Sequence, residues 1–430
     1  MKALQDIVTR HTGGERTGVW SLCSAHPAVI ESAMREANTA GTALLVEATS
    51  NQVNQFGGYT GMRPADFAHF LRDISARAGL PADRTWIGGD HLGPNAWRSE
   101  AADAAMAKAA DLVREYVAAG FRKIHLDCSM ACGGDSSPLS EEIVASRAAS
   151  LAAAAEAAWR EAGGEAPVYV IGTEVPTPGG ATEELSTLTV TTPQAATATI
   201  DAHREAFDRA GLEAAWPRVI ALVVQPGVEF DHHKVIDYRP REAKSLSDVI
   251  GRQSQFVFEA HSTDYQSATG LKALVRDHFA ILKVGPGATF ALRETLWGLA
   301  AIEQVMHGDG RVPDLRKVVV AAMRADPQHW RGHYHGEGES LDFDLQYSLS
   351  DRIRYYWPYP EVQRAVAAMR ERLDRRPIPL TLLSQFLPRQ HEAMRDGRIA
   401  GTTAEILREG VAAALRPYFA ACAAPSRAAA

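Results

Sequence analysis

Eight short apolar runs alternate with helix-patterned stretches between about residues 17 and 310. They lie at 17–23, 42–49, 84–91, 123–130, 168–175, 219–227, 255–262 and 279–287. Most are rich in Val, Ile and Leu and nearly continuous in apolar character, as strands buried on both faces must be. Between them stand alanine-rich segments such as HPAVIESAMREANTAG and MRPADFAHFLRDISARAG, several closed by a glycine that can adopt the left-handed helix end. Ser140 is placed to cap the longest of them. Strands that each feed a helix imply a parallel sheet covered by helices. Eight such units predict a closed (β/α)8 TIM barrel over residues 1–310 rather than an open doubly wound sheet. The latter would want a G-x-G-x-x-G turn after an early strand, and the chain has none. Residues 311–430 show no strand run and read as a helical C-terminal extension packed on the barrel, with AACAAPSRAAA as a frayed tail.

Composition narrows the function classes. A chain of 430 residues with 46% hydrophobic content supports a large core. Lysine and arginine total 45 against 52 aspartates and glutamates, a net charge of -7 without a basic block, so no nucleic-acid partner is expected. No run reaches the ~20 apolar residues of a membrane span, and the first residues lack a signal-type apolar core. Four cysteines do not make a disulfide framework, and Cys128 and Cys132 miss the C-x-x-C spacing. A cytoplasmic protein is expected.

In a barrel the chemistry stands at the carboxyl ends of the strands, and polar residues gather there. Strand three ends in Asp90 and His91. Strand four carries His125, Asp127 and Ser129 at alternate positions, on one face. Strand five ends in Thr173 and Glu174, strand six in Gln225, and strand seven in Glu259, His261, Ser262 and Asp264. The pattern points to one divalent cation held by His91, His261 and Glu174, a donor set that suits zinc and also admits manganese. Asp90 is then the base, and His125 or Asp127 orients substrate hydroxyls. Neighbouring residues face opposite sides of an ideal strand, so Asp90 and His91 serve one site only if the strand bends at its end. A solvated or locally hydrogen-bonded strand end is the plainer account of any one of these residues, and no H-E-x-x-H occurs.

An anionic substrate has its own candidates. KVGPGATF places Gly285 and Gly287 between the last strand and a helix, where barrels bind phosphate through backbone N–H groups. Thr289 adds a hydroxyl and Lys283 a charge if it faces inward; an ordinary strand–helix turn is the alternative. Arg352 and Arg354 in SDRIRYYW either reach over the mouth to the anion or are a surface feature. NQVNQFGG after strand two brings Asn51, Asn54 and Gln55 as hydroxyl-reading amides.

The blocks EATSNQVNQFGGYTG, GGDHLGPN, KIHLDCSM, VIGTEVPTPGG, VVQPGVEFD, FEAHSTDYQ and ILKVGPGATFA, with SDRIRYYW and LLSQFLPRQ further on, resemble the tagatose-1,6-bisphosphate aldolase accessory subunit family. That resemblance implies a non-catalytic partner of a separate catalytic aldolase subunit, in galactitol, tagatose or N-acetylgalactosamine use. The family is related in fold to class II zinc-dependent ketose-bisphosphate aldolases. By that likeness Asp90 and His91 match the acid/base and zinc pair, His261 matches the zinc histidine after strand seven, and Glu174 a strand-five carboxylate. Glu259 adds a further candidate metal ligand. Where the aldolases place a strand-six histidine this chain reads VVQPGVEF, leaving Gln225 or Glu229 as substitutes and ordinary aldolase activity in doubt. Relatives are also associated with metal-dependent epimerisation at carbon 4 of ketoses or their phosphates. Members have carried the name tagatose 6-phosphate kinase, yet the chain has no G-x-x-x-x-G-K-[ST]. The resemblance thus sets two expectations: a catalytic aldolase subunit as partner, or a ketose or phosphorylated ketose as substrate of this chain. A homo-oligomer is compatible with both.

Overall fold

The computed structural model describes residues 1–172, 188–308 and 310–423. Eight parallel strands close a barrel: β1 (Val19–Leu22), β2 (Leu44–Thr49), β3 (Thr85–Leu92), β4 (Lys123–Leu126), β5 (Val168–Ile171), β6 (Val219–Val224), β7 (Val257–Ala260) and β8 (Phe279–Val284). β8 pairs back onto β1, with Val19 opposite Ile281. A hairpin of Glu229–Phe230 and Val235–Ile236 stands outside the barrel after β6 and was not foreseen from sequence.

Alternation along the strands stacks the barrel interior in layers. The floor is apolar: Val19, Leu45, Val168, Val257 and Ile281 cluster with Leu4 and Val8 of the N-terminal helix Lys2–Arg10, which closes the bottom. Two residues further along, Val19 gives way to Ser21, Leu45 to Glu47, Val257 to Glu259 and Ile281 to Lys283, all buried. Lys123 joins them, 2.7 Å from both Glu47 and Glu259. Gly88 makes room for this layer, because a Cβ there would meet Glu47 Oε1 at 2.5 Å. The next step upward reaches the mouth.

β3 does bend at its end. It pairs with β4 at Gly89–Ile124 and again at Leu92–Leu126, three residues on one strand against two on the other. The extra residue is a bulge, and His91 adopts a left-handed φ of 48° within it. Such a conformation is unfavourable for a non-glycine residue by ~1 kcal/mol or more. It turns Asp90 and His91 towards the same opening.

Past residue 310 the described chain is helical. The helix Thr403–Cys422 packs on the helices Pro27–Ala40, Ala268–Arg276 and Pro286–His307. Trp357, Leu383, Leu415 and Tyr418 belong to the same continuous core as the helical layer of the barrel. The start of the expected frayed tail is in fact ordered helix as far as Cys422, whose carbonyl accepts the Gly18 N–H at 3.0 Å. Ser140 caps its helix as expected, accepting from the Ile143 N–H at 3.4 Å. No helix among the described residues is long and apolar enough to cross a membrane.

Candidate functional site

Asp90, His91, His125 and His261 each bring a ligand atom to within 4.8 Å of the others at the mouth. All four are buried. His91 Nδ1 lies 2.6 Å from Asp127 Oδ2, and His261 Nε2 lies 2.9 Å from Glu259 Oε1. Each imidazole thus gives one N–H to a carboxylate, which fixes its tautomer. The nitrogens left over, His91 Nε2 and His261 Nδ1, face each other at 3.1 Å. Two lone pairs repel at that distance unless a cation stands between them. Two nitrogens on a tetrahedral zinc are about 3.3 Å apart, so the pair fits a shared divalent ion with little adjustment. A shared proton is the only other occupant of that size. His125 is less available: its Nε2 lies 3.0 Å from the Gly172 carbonyl, and its Nδ1 faces Asp90 Oδ1 at 3.0 Å.

The charges below decide the state of Asp90. Lys283 Nζ stands 3.2 Å from Asp90 Oδ2 and also contacts Glu47. Burial pushes the Asp90 carboxyl up, but Lys283, His91 and His261 outweigh it and hold it well below the usual carboxylate range. Asp90 is therefore ionised. Burial also lowers His91, yet Asp90 and Asp127 outweigh it and leave it raised, whereas burial brings His261 down to about 4. Glu47, Asp90 and Glu259 form a second close carboxylate group. Lys123 and Lys283 stand among these three carboxylates and balance two of their three charges.

A cavity of about 500 Å³ opens above Asp90, His91, His261 and Lys283. Its walls include Cys23, Asn51, Gln52, Tyr59, Asp264, Thr289, Arg354 and Tyr355. Several expectations change here. Gln225 is engaged locally: its side-chain oxygen accepts the Gly227 and Val228 N–H groups at 2.8 and 3.0 Å, holding the turn after β6. Glu229 joins neither carboxylate–histidine group. Glu259 backs His261 from the layer below. His125 and Asp127 lie off the cavity wall, where their side chains meet Asp90 and His91. Asn51 faces the cavity with Gln52, but Gln55 lies off its wall and donates to the Lys108 carbonyl at 2.9 Å, and Asn54 accepts from the N–H groups of Phe56 and Gly58.

The phosphate cradle is occupied from within. The N–H groups of Gly285 and Gly287 both donate to Asp264 Oδ1, at 2.9 and 2.7 Å. Lys283 faces inward as the expectation required, but its charge is shared by Glu47 and Asp90. Thr289 donates to Asp351 Oδ2 at 2.6 Å. Arg354 lines the cavity, whereas Arg352 is held off it by the His329 carbonyl at 2.6 Å. Glu174 lies outside the described residues. Glu47, Lys123 and Tyr355 also stand at the site and are not among the residues expected from sequence. Alternation would have found the first two, since Glu47 is two residues from Leu45 and Lys123 two from His125.

Over residues 4–423 the chain matches the family described as "D-tagatose-1,6-bisphosphate aldolase subunit GatZ/KbaZ-like". A Sinorhizobium meliloti 1021 structure, described as a probable tagatose 6 phosphate kinase, is 47% identical. The superposition covers 94% of this chain and 100% of that one at a TM-score of 0.87. The fructose-bisphosphate aldolase of Campylobacter jejuni is 12% identical over 86% of this chain and 91% of that one, with a TM-score of 0.45. The YdjI aldolase of Escherichia coli K12 is 10% identical over 86% and 94%, with a TM-score of 0.41.

Proposed function

Because the chain belongs to the GatZ/KbaZ-like family of D-tagatose-1,6-bisphosphate aldolase subunits, we propose that it joins a catalytic aldolase partner and that its own mouth is a working carbonyl site for a ketose or ketose phosphate. The observation that carries the reading is the facing nitrogen pair of His91 and His261, 3.1 Å apart, each ring backed by a carboxylate. Such a pair is a cost to a barrel that needs only to fold, because four buried ionisable groups lie within one small volume. A divalent cation, when bound there, supplies Lewis-acid polarisation of a ketose carbonyl.

The protein's own residues do the rest. His91 and His261 hold the ion, and Asp127 and Glu259 keep the two rings aimed. Asp90, ionised beside Lys283, accepts the proton of the C4 hydroxyl. The C3–C4 bond then breaks and its electron pair is carried towards the C2 carbonyl. Reversal after the aldehyde has turned gives the C4 epimer; departure of the aldehyde gives aldol cleavage. Asn51 and Gln52 stand on the wall to read hydroxyls, and Arg354 to take an anionic end.

One observation favours a purely accessory role: the same Lys283 that ionises Asp90 weakens it as a base. The two readings part on a paired measurement. Wild type and Asp90→Asn are loaded with zinc or manganese and given ketose phosphates, with C4 epimers and triose products followed. Activation of the catalytic partner is measured in parallel. The site reading expects metal-dependent turnover that falls ~100-fold or more in Asp90→Asn, with partner activation kept. Absence of turnover by metal-loaded wild type, with full partner activation, would overturn it. Asp127→Ala, which leaves every candidate ligand in place, should weaken zinc binding by ~10- to 100-fold in a calorimetric titration.

A further inference from the structure

The loop after β7 is built around Asp264. Ser262 and Tyr265 both take left-handed backbone conformations, with φ of 52° and 64°, on either side of it. Thr263 is fixed by its hydroxyl to the Lys283 carbonyl at 2.6 Å and by its own carbonyl to the Tyr418 hydroxyl at 2.7 Å. Tyr265 donates to the Leu349 carbonyl, and Gln266 to the Ile236 carbonyl at 2.9 Å. Held on both sides, Asp264 turns its buried carboxylate onto the N–H groups of Gly285 and Gly287. Those amides open the helix Pro286–His307. A barrel commonly offers an anion exactly such donors after its seventh and eighth strands. Here a carboxylate of the chain itself has taken them.

The remaining cations define where a substrate anion can go. Among the described residues, lysine and arginine appear on the cavity wall at Lys283, Arg354 and Arg370. Lys283 is neutralised by Glu47 and Asp90. Arg370 donates to the Thr403 hydroxyl at 3.2 Å, on the stretch of wall that also carries Val366, Ala367 and Leu407. Arg354 is held by the carbonyls of Ser350 and Asp351 and donates to the Tyr355 hydroxyl at 3.0 Å. No described carboxylate forms a contact ion pair with it, although Asp264 and Asp351 lie within its electrostatic reach. The segment 173–187 cannot supply another cation, because it contains no lysine or arginine.

We infer that Asp264 is a specificity-determining residue: it closes the anion site after β7 and β8, so that the substrate presents a neutral hydroxyl end there and its single phosphate to Arg354. The carboxylate spends Oδ1 on the two amides and offers Oδ2 to a hydroxyl. A phosphate brought to the same place meets a like charge and finds its donors taken. The class of ligand is a ketose with one phosphate, rather than a bisphosphate. This rests on the proposed use of the mouth for ketose phosphates, but it is tested by binding rather than turnover.

The experiment is calorimetric titration of wild type, Asp264→Asn, Asp264→Ala and Arg354→Gln with tagatose 6-phosphate and tagatose 1,6-bisphosphate. Wild type is expected to bind the monophosphate at least ~10-fold more tightly than the bisphosphate. Asp264→Ala frees both amides and should remove that preference by raising bisphosphate affinity. Asp264→Asn keeps an oxygen for the amides and so guards against misfolding; it should lose only part of the preference, through the lost charge. Arg354→Gln should weaken the monophosphate ~10-fold or more. Equal affinities in wild type, or an unchanged ratio in a folded Asp264→Ala, would overturn the assignment. Failure of folded wild type to bind either sugar would overturn it together with the proposed use of the mouth. The expected ratio without turnover would sink the proposed chemistry alone and leave Asp264 in this role.

Discussion

Glu229 shows what burial does to an acid that lacks a counter-charge. Its Oε1 accepts the Phe230 N–H at 3.0 Å, and the carboxyl group is fully buried. Burial raises its carboxyl to about 7 from an ordinary 4.5. The folded state thus holds this proton more tightly than the unfolded state does. Where the native form binds more protons, stability falls as pH rises, so Glu229 withdraws stability between about pH 4.5 and about 7. The span corresponds to about 3 kcal/mol. Glu229→Gln should remove that decline, and urea titrations across pH 4–8 should show the variant gaining on wild type as pH rises. A constant difference between them would contradict the assignment. Asp90 has the opposite history, because Lys283, His91 and His261 surround it and overcome its burial. Sequence shows the acid in either case, but the sign of its shift depends on partners that only the fold brings near. The same limit explains Gln225: its position at a strand end suggested a ligand, and the neighbouring amides of Gly227 and Val228 claimed it first.

At the scale of the elements, the strands were legible because each is a buried apolar run with a helix behind it. Period-two alternation also placed His125 and Asp127 on one face. The bulge in β3 was not legible, since it depends on register against β4 and on the turn that follows. That turn is fixed by Gly93. A Cβ there would meet the Asp127 carbonyl oxygen at 1.6 Å, and this contact is with backbone that cannot step aside. Asp127 in turn donates its N–H to the Leu92 carbonyl at 3.0 Å and aims His91. Gly93→Ala should therefore cost ~3 kcal/mol or more in denaturant unfolding and loosen zinc binding together with it. Gly332→Ala is the matched control: a Cβ there has nothing within 4 Å, and it should stay within ~0.5 kcal/mol of wild type. Stability lost equally in both would mean that the approach at Gly93 is not what holds the bend.

Across the whole molecule, the boundary near residue 310 separates two sequence textures but not two cores. Trp20 on β1 packs edge-on to Phe419 at 4.8 Å and lies 5.8 Å from Tyr418. Thr17 donates its hydroxyl to the Cys422 carbonyl at 3.0 Å, and Arg416 reaches Glu36 at 2.9 Å. Trp297 meets Trp357 at 6.0 Å, Arg372 pairs with the buried Glu303 at 2.6 Å, and Arg293 with Asp351 at 3.2 Å. These contacts cover two barrel helices and the start of β1, and they bring Arg354 and Tyr355 to the mouth. A chain cut after residue 310 would expose Trp20 and Trp297 and leave Glu303 and Arg293 buried in part without their counter-charges. Breaking a buried ion pair by removing one partner costs ~3–5 kcal/mol, comparable to the ~5–15 kcal/mol by which whole domains are stable. Residues 1–310 alone should then bind a hydrophobic dye and melt without a sharp transition in circular dichroism. A chain ending at residue 423 should melt cooperatively. A soluble 1–310 fragment with a single sharp transition would show instead that the barrel stands by itself and that the helices serve only to furnish Arg354 and Tyr355 to its opening.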